Sequence, residues 1–178
     1  MDIGIEIRPV RPEEYAAAGA ATARAYREFA PSDREHGDWA AYLKRIADVA
    51  GRAARTTVLV ALDDGAVVGS ATLELNERIR DDSERPLGPD EAHLRMLGVD
   101  PDHRRKGIAR QLVLACIDAA RTAGKRRLTL DTGPVMKAAR AMYEAMHFTP
   151  AGTRELDNGF CLYSYEMRLD AARAGAPQ

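Results

Sequence analysis

Isoleucines alternate with polar or small residues at Ile3, Ile5 and Ile7, the period-two pattern of a half-buried strand, which Pro9 and Pro12 close. Pro12-Glu13-Glu14 supplies the proline and acid that favour a first helical turn, and Tyr15, Ala18, Thr22, Tyr26 and Phe29 recur at helical spacing. Ala30-Pro31-Ser32-Asp33 breaks that helix. Trp39, Tyr42, Leu43, Ile46 and Val49 form the apolar stripe of a second. A β-branched run over 56–62, the turn Asp64-Gly65 and a returning run over 66–75 predict a hairpin. Residues 76–90 are charged, contain two prolines and read as an exposed loop, long enough to suggest a function.

A further strand is predicted over 92–99, ended by Asp100-Pro101-Asp102. A helix then runs from Gly107 to about Thr122, with Ile108, Leu112, Ala115, Cys116 and Ala119 inward and Gly124 as its stop. A short strand follows at 127–131. Gly133-Pro134 precedes a last helix bearing Val135, Ala139, Met142, Tyr143 and Met146, and strands near 148–153 and 161–169 finish the fold. The order β-α-α-β-β-β-α-β-α-β-β, without internal repeat or linker, predicts one α/β domain over residues 1–169. Residues 170–178 are expected to be a flexible tail.

Composition narrows the function classes. The chain is 46% apolar and 30% charged, which fits a folded domain rather than a disordered one. A net charge of -1 gives no overall electrostatic case for nucleic acid or an anionic membrane, so any basic function is local. No apolar stretch approaches the ~18–20 residues of a membrane span, and no basic-then-apolar leader opens the chain. The expectation is a soluble, cytoplasmic, reduced protein. Cys116 and Cys161 are too few for a disulfide framework or a zinc site; both are expected to be small core residues, and no metal is expected.

The chemistry concentrates in residues 97–110, which read strand end, turn, basic loop, helix start. The first N–H groups of a helix have no intrahelical partner, and the helix dipole adds positive charge there. Gly107 lets backbone approach a phosphate, Ala109 leaves the helix start uncrowded, and Arg104, Arg105, Lys106 and Arg110 add four charges. Four basic residues alone would equally make a solvated face. Their coincidence with a glycine at a strand-to-helix junction points to a pyrophosphate.

The run Arg104-x-x-Gly107-x-Ala109, after Leu97-Gly98-Val99-Asp100-Pro101, resembles the acetyl-CoA signature of the GNAT family of N-acetyltransferases. Downstream, Ala139-x-x-Met142-Tyr143-Glu144-x-x-His147-Phe148 resembles that family's Ala-x-x-Leu-Tyr-Glu-x-x-Gly-Phe. The resemblance implies a mixed, mostly antiparallel sheet of about six or seven strands flanked by about four helices. It implies acetyl-CoA as co-substrate, its pantetheine arm on the backbone of Leu97, Gly98 and Val99, with Gly98 the expected bulge residue. The amides of Arg105, Lys106, Gly107, Ile108, Ala109 and Arg110 would hold the pyrophosphate, with Arg104 opening the motif. Two positions depart from the family: Met136 stands where Asn is frequent, and His147 where the motif has Gly.

The resemblance also assigns Tyr143 as the acid that protonates the leaving thiolate, although Tyr143 shares a helix face with Ala139 and Met146 and equally suits a core. For the base, His93 occupies the position of a frequent family Glu, and alternation puts it on one side of the strand with Arg95 and Leu97. Glu91 is the reserve, and a water chain a third route. The amide near Leu97 is the expected oxyanion donor. The acceptor is an amine of a small molecule or peptide, with Tyr15, Tyr26, Trp39, Tyr42 and the 76–90 loop as candidate wall. Homodimers are common in the family. A sensing module with the same fold and no transfer is the competing reading; a kinase lacks its Gly-x-x-x-x-Gly-Lys-Ser/Thr run, and nucleic-acid binding lacks a basic stripe with aromatics.

Overall fold

The computed structural model describes residues 4–30, 36–79, 85–156 and 160–170. Its strands are β1 (Glu6–Pro9), β2 (Thr57–Asp63), β3 (Ala66–Glu74), β4 (Glu91–Val99), β5 (Arg127–Thr132), β6 (Thr149–Glu155) and β7 (Cys161–Arg168). They form one sheet in the order β1-β2-β3-β4-β5-β7-β6. Only β4 and β5 run parallel, joined by a crossover helix; every other pair is antiparallel. The mixed sheet and the element order agree with the expectation. The tail lies outside the described residues except for Asp170.

Among the described residues there are five α-helices rather than four: α1 (Tyr15–Arg27), α2 (His36–Ala47), α3 (Val49–Ala53), α4 (Ile108–Thr122) and α5 (Lys137–Ala145). The extra one arises at Asp48, whose carboxylate accepts from Gly51 N–H at 2.9 Å and caps a new short helix. Val49, expected on the stripe of the second helix, therefore opens α3 and packs on Ala18, Val58 and Val60. Buried Arg52 ties this corner to the sheet. It donates to Thr72 Oγ1 at 3.0 Å and to the carbonyls of Arg45, Ile46 and Asp48, closing the end of α2 with a satisfied charge.

The two faces of the sheet are covered differently. Leu59, Ala61, Leu73, Leu94, Leu128 and Leu130 meet Ile108, Leu112, Val113 and Cys116 of α4 and Tyr143 of α5. On the opposite face, Val58, Val60 and Leu62 meet Ala18 and Val49, while Met96 joins Ala25, Tyr26 and Ile46. Cys116 is a core residue as expected. Cys161 is exposed, against expectation, because it belongs to the last pair of the β6–β7 ladder, opposite Glu155.

One irregularity shapes the site. Between the pairs Ser70↔Gly98 and Thr72↔Arg95, β3 advances two residues and β4 three. The extra residue is a bulge at Met96, whose φ is +52°, not at Gly98. Gly98 sits in register. Its missing side chain serves α1 instead, since a Cβ there would lie 3.0 Å from Thr22 Cγ2 and 3.1 Å from Ala25 Cβ.

Candidate active site

Beyond the bulge the two parallel strands part. β4 pairs with β5 from Glu91↔Arg127 to Leu94↔Leu130, yet β4 continues to Val99 and β5 to Thr132. Met96 and Leu97 also drop out of the β3 ladder, so their backbone is released from both neighbours. The gap opens into a cavity of about 460 Å³ whose walls include Tyr26 and Phe29 near the end of α1, Leu97, Gly98 and Val99 of β4, Ala109 of α4 and Met136. Arg104, Ala139 and Met142 also border it.

At the mouth stands the start of α4. Gly107 adopts φ +73°, ψ 12° as its N-cap, a left-handed conformation that favours glycine, and a Cβ there would face open space. The ladder of α4 begins with Gln111 N–H donating to Gly107 O, so the N–H groups of Ile108, Ala109 and Arg110 have no backbone acceptor among the described residues. The four basic side chains divide into two kinds. Lys106 pairs with Asp63 at 2.7 Å, and Arg104 pairs with Glu28 and donates to Ala25 O. Arg105 and Arg110 are exposed and have no ion pair among the described residues. Chemically this is a narrow apolar slot with free backbone groups on one wall and a cationic helix start at its entrance.

Tyr143 lies on α5 beside the slot-lining Ala139 and Met142, but its ring is buried against Phe148 and Tyr165 at centroid distances of 5.6 and 6.2 Å. Burial pushes its hydroxyl above the usual tyrosine value, so it stays protonated, and the hydroxyl has no hydrogen-bond partner among the described residues. The departure at His147 is accommodated by the backbone: φ there is +69°, the left-handed turn a glycine would make, and Phe148 N–H closes onto Tyr143 O. Met136 lines the slot and its sulfur accepts from Thr132 Oγ1 at 3.6 Å.

A second cavity, of about 430 Å³, lies over β4, β5, β6 and β7, with His93, Asp131, Arg154 and Ser164 in its walls. His93 is 3% exposed. Its Nδ1 stands 2.8 Å from Thr129 Oγ1, which in turn is 2.8 Å from Glu91 Oε1. Burial, reinforced by Arg78 and Arg95 and opposed by Asp131 and Glu91, holds the imidazole far below its ordinary 6.5, so it is neutral. Glu91 is fully buried and carries a bidentate pair from Arg85 at 2.6 and 2.7 Å. Burial raises its pKa, but the bonds from Arg85, Thr129 and Gly88 N–H outweigh that and bring it to about 2. A carboxylate so engaged does not serve as the reserve base.

Of the expected acceptor wall, Tyr26, Trp39 and Tyr42 cluster, with ring centroids 6.0 Å (Tyr26–Tyr42) and 5.4 Å (Trp39–Tyr42) apart, while Tyr15 packs elsewhere, against the Val58–Val60 face. Residues 80–84 of the 76–90 loop lie outside the described residues; Arg78 and Arg85 from its ends reach the second cavity. The sequence pattern does not single out Thr129, Asp131, Arg154 and Ser164, which the fold brings to this cavity. The signal was there for two of them, since Thr129 and Asp131 place polar groups at alternate positions of a central strand.

Comparison with known proteins bears on this geometry. The family model described as the acetyltransferase (GNAT) family matches residues 20–148. N-acetyltransferase 8 of Homo sapiens is 38% identical over 73 residues, 41% of this chain and 30% of that protein. The [ribosomal protein bS18]-alanine N-acetyltransferase of Salmonella typhimurium is 40% identical over 65 residues, 36% of this chain and 44% of that one. The matched segment thus spans less than half the length of either relative. The fold is shared over 98% of the chain with yncA from Salmonella typhimurium, solved with its cofactor acetyl-CoA (TM-score 0.67, 21% identity, 99% of that chain). The ribosomal-protein-S18-alanine N-acetyltransferase from Escherichia coli is equally similar, with TM-score 0.68 and 21% identity over 98% of this chain and 100% of that one.

Proposed function

The chain belongs to the acetyltransferase (GNAT) family, and we propose that it moves an acetyl group from acetyl-CoA to the amine of an acceptor by direct attack on the thioester. The observation that carries this reading is the slot at the parted end of β4, walled by α1 and the start of α5, with the uncapped start of α4 at its mouth. A pyrophosphate would lie on the amides of Arg105 to Arg110, with Arg105 and Arg110 supplying charge. The pantetheine arm would use the backbone of Leu97, Gly98 and Val99 as a third strand.

The chemistry needs a neutral amine, a donor for the carbonyl oxygen and a proton for the leaving sulfur. The nitrogen attacks the carbonyl carbon; as the C–N bond forms its proton becomes acidic and passes to neutral His93, directly or through water. The C–S bond then breaks, Leu97 N–H steadies the oxyanion, and Tyr143 donates its hydroxyl proton to the thiolate. His93 is too weak a base to strip an ordinary ammonium ion, so the acceptor amine arrives neutral. Its binding place would be the second cavity, large enough for a small amine or the first residues of a peptide. A protein amine is one such class, as in the relative named [ribosomal protein bS18]-alanine N-acetyltransferase.

Met136 in the slot and the deep burial of Tyr143 favour a second reading, a domain that binds acyl-CoA and transfers nothing. A thiol-release assay with acetyl-CoA and a panel of amines and peptides separates the two. Amine-dependent release of free CoA, lost in His93→Gln, supports transfer; tight acetyl-CoA binding without release from any acceptor supports the sensor.

A further inference from the structure

Glu91, Thr129 and His93 form a continuous chain of hydrogen bonds across β4 and β5, in register because Glu91↔Arg127, Ala92↔Leu128 and His93↔Thr129 are successive pairs of the parallel ladder. A threonine hydroxyl has one hydrogen. Glu91, ionised and gripped by Arg85, has none to give, so its Oε1 at 2.8 Å accepts the hydrogen of Thr129. The carbonyl of Ala92, 3.3 Å away, is another acceptor and leaves the count unchanged. The opposite polarity would turn that hydrogen toward His93 and leave lone pairs of Thr129 and Glu91 facing each other across 2.8 Å in a buried site, at the cost of an unmade hydrogen bond. Thr129 Oγ1 therefore receives, and the hydrogen it receives is on His93 Nδ1.

We infer that Glu91 and Thr129 are positioning residues that lock His93 in the Nδ1–H tautomer and leave its lone pair on Nε2, the ring nitrogen without a protein partner among the described residues. The inference rests on His93 as proton acceptor in the reading above. A neutral imidazole has one donor and one acceptor nitrogen, and only the acceptor takes the amine proton. The relay settles which one that is, and buries the other. The charged groups around the ring are Arg78 and Arg95, which disfavour its protonation, and Asp131 and Glu91, which favour it. Arg85 and Arg127 hold the carboxylate that anchors the chain. This gives Glu91, unfit as a base, a task in the same site.

The test is a two-bond proton–nitrogen correlation spectrum of the ¹⁵N-labelled full chain at neutral pH. His93 is assigned among the four histidines by its absence in His93→Gln. The expected result is a protonated Nδ1 and a lone-pair Nε2. Thr129→Val, which keeps the β-branched shape, should give a mixed or Nε2–H ring, and Thr129→Ser should restore the first form. With an acceptor from the thiol-release panel, Thr129→Val should lower kcat by roughly 10- to 100-fold at unchanged KM for acetyl-CoA. A wild-type Nε2–H ring, or a tautomer indifferent to Thr129→Val, overturns the inference. Should the valine variant not fold, the wild-type spectrum alone decides. The spectrum needs no turnover, so its failure is distinct from a failure to bind acetyl-CoA, which would remove the proposed function instead.

Discussion

Gly98 lies beneath Thr22: a methyl at Gly98 would approach Thr22 Cγ2 to 3.0 Å and the Thr22 Cα to 3.3 Å. One wall of that contact is helix backbone, which does not step aside, and Gly98 also lines the slot. Gly98→Ala should therefore cost stability, about 1–3 kcal/mol by urea unfolding, as overpacked sites do. If α1 shifts to relieve the clash, acetyl-CoA affinity falls as well. A variant as stable as the parent would mean the helix has slack that the geometry does not display.

Gly107 separates strain from charge. Its left-handed φ is unfavourable for any side chain, and the space around its Cα is open. Gly107→Ala and Gly107→Glu should share a stability loss of about 1 kcal/mol. Only the glutamate places a negative charge against a phosphate, so it should weaken acetyl-CoA binding by about 10-fold or more beyond the alanine variant. Equal affinities in the two variants would remove the phosphate from this helix start.

Protons should report on His93 in two ways. In the unfolded chain its pKa returns to about the ordinary 6.5, whereas the folded site holds it neutral far below that. Between those values the unfolded chain binds the extra proton, so stability falls as pH falls below 6.5. The loss from pH 7 to 5 should be about 2 kcal/mol and should shrink in His93→Gln. Glu91, held near 2 against an ordinary 4.5, adds a loss of the same sign only below pH 4.5. An equal pH slope in parent and variant would contradict the buried neutral imidazole. Turnover, for its part, should track the neutral fraction of the acceptor amine and show no break near 6.5.

Tyr143→Phe should lower turnover about 10- to 1000-fold and leave acetyl-CoA affinity within a factor of about two. The hydroxyl forms no protein hydrogen bond among the described residues, so its removal costs the fold little. Unchanged turnover would return Tyr143 to the core and assign the proton to water.

The periodicity of the chain is enough for most of the fold, because period 2 gives way to period 3.6 at Pro9 to Pro12, Asp100-Pro101 and Gly133-Pro134, and Asp64-Gly65 marks the turn between two strands. It missed the break at Asp48, since Trp39 to Val49 is apolar at unbroken helical spacing and only a side-chain cap marks the boundary. The family resemblance puts the bulge at Gly98, whereas the positive φ falls at Met96, which is buried in the cluster of Ala25 and Tyr26. The helix start proposed to hold a phosphate is legible because it depends on backbone and one glycine, which are contiguous in sequence. The second cavity was not: His93, Asp131, Arg154 and Ser164 meet only when β4, β5, β6 and β7 align, and no local pattern encodes that register.

If the parted strands and the start of α4 hold acyl-CoA, isothermal titration of the full chain with acetyl-CoA, then with propionyl- and succinyl-CoA, reads that occupancy without needing an acceptor. Binding with Kd on the order of micromolar, about -8 kcal/mol, weakened in Gly107→Glu, is expected. Absence of heat and of affinity for every acyl-CoA would contradict it and leave the slot without its proposed occupant.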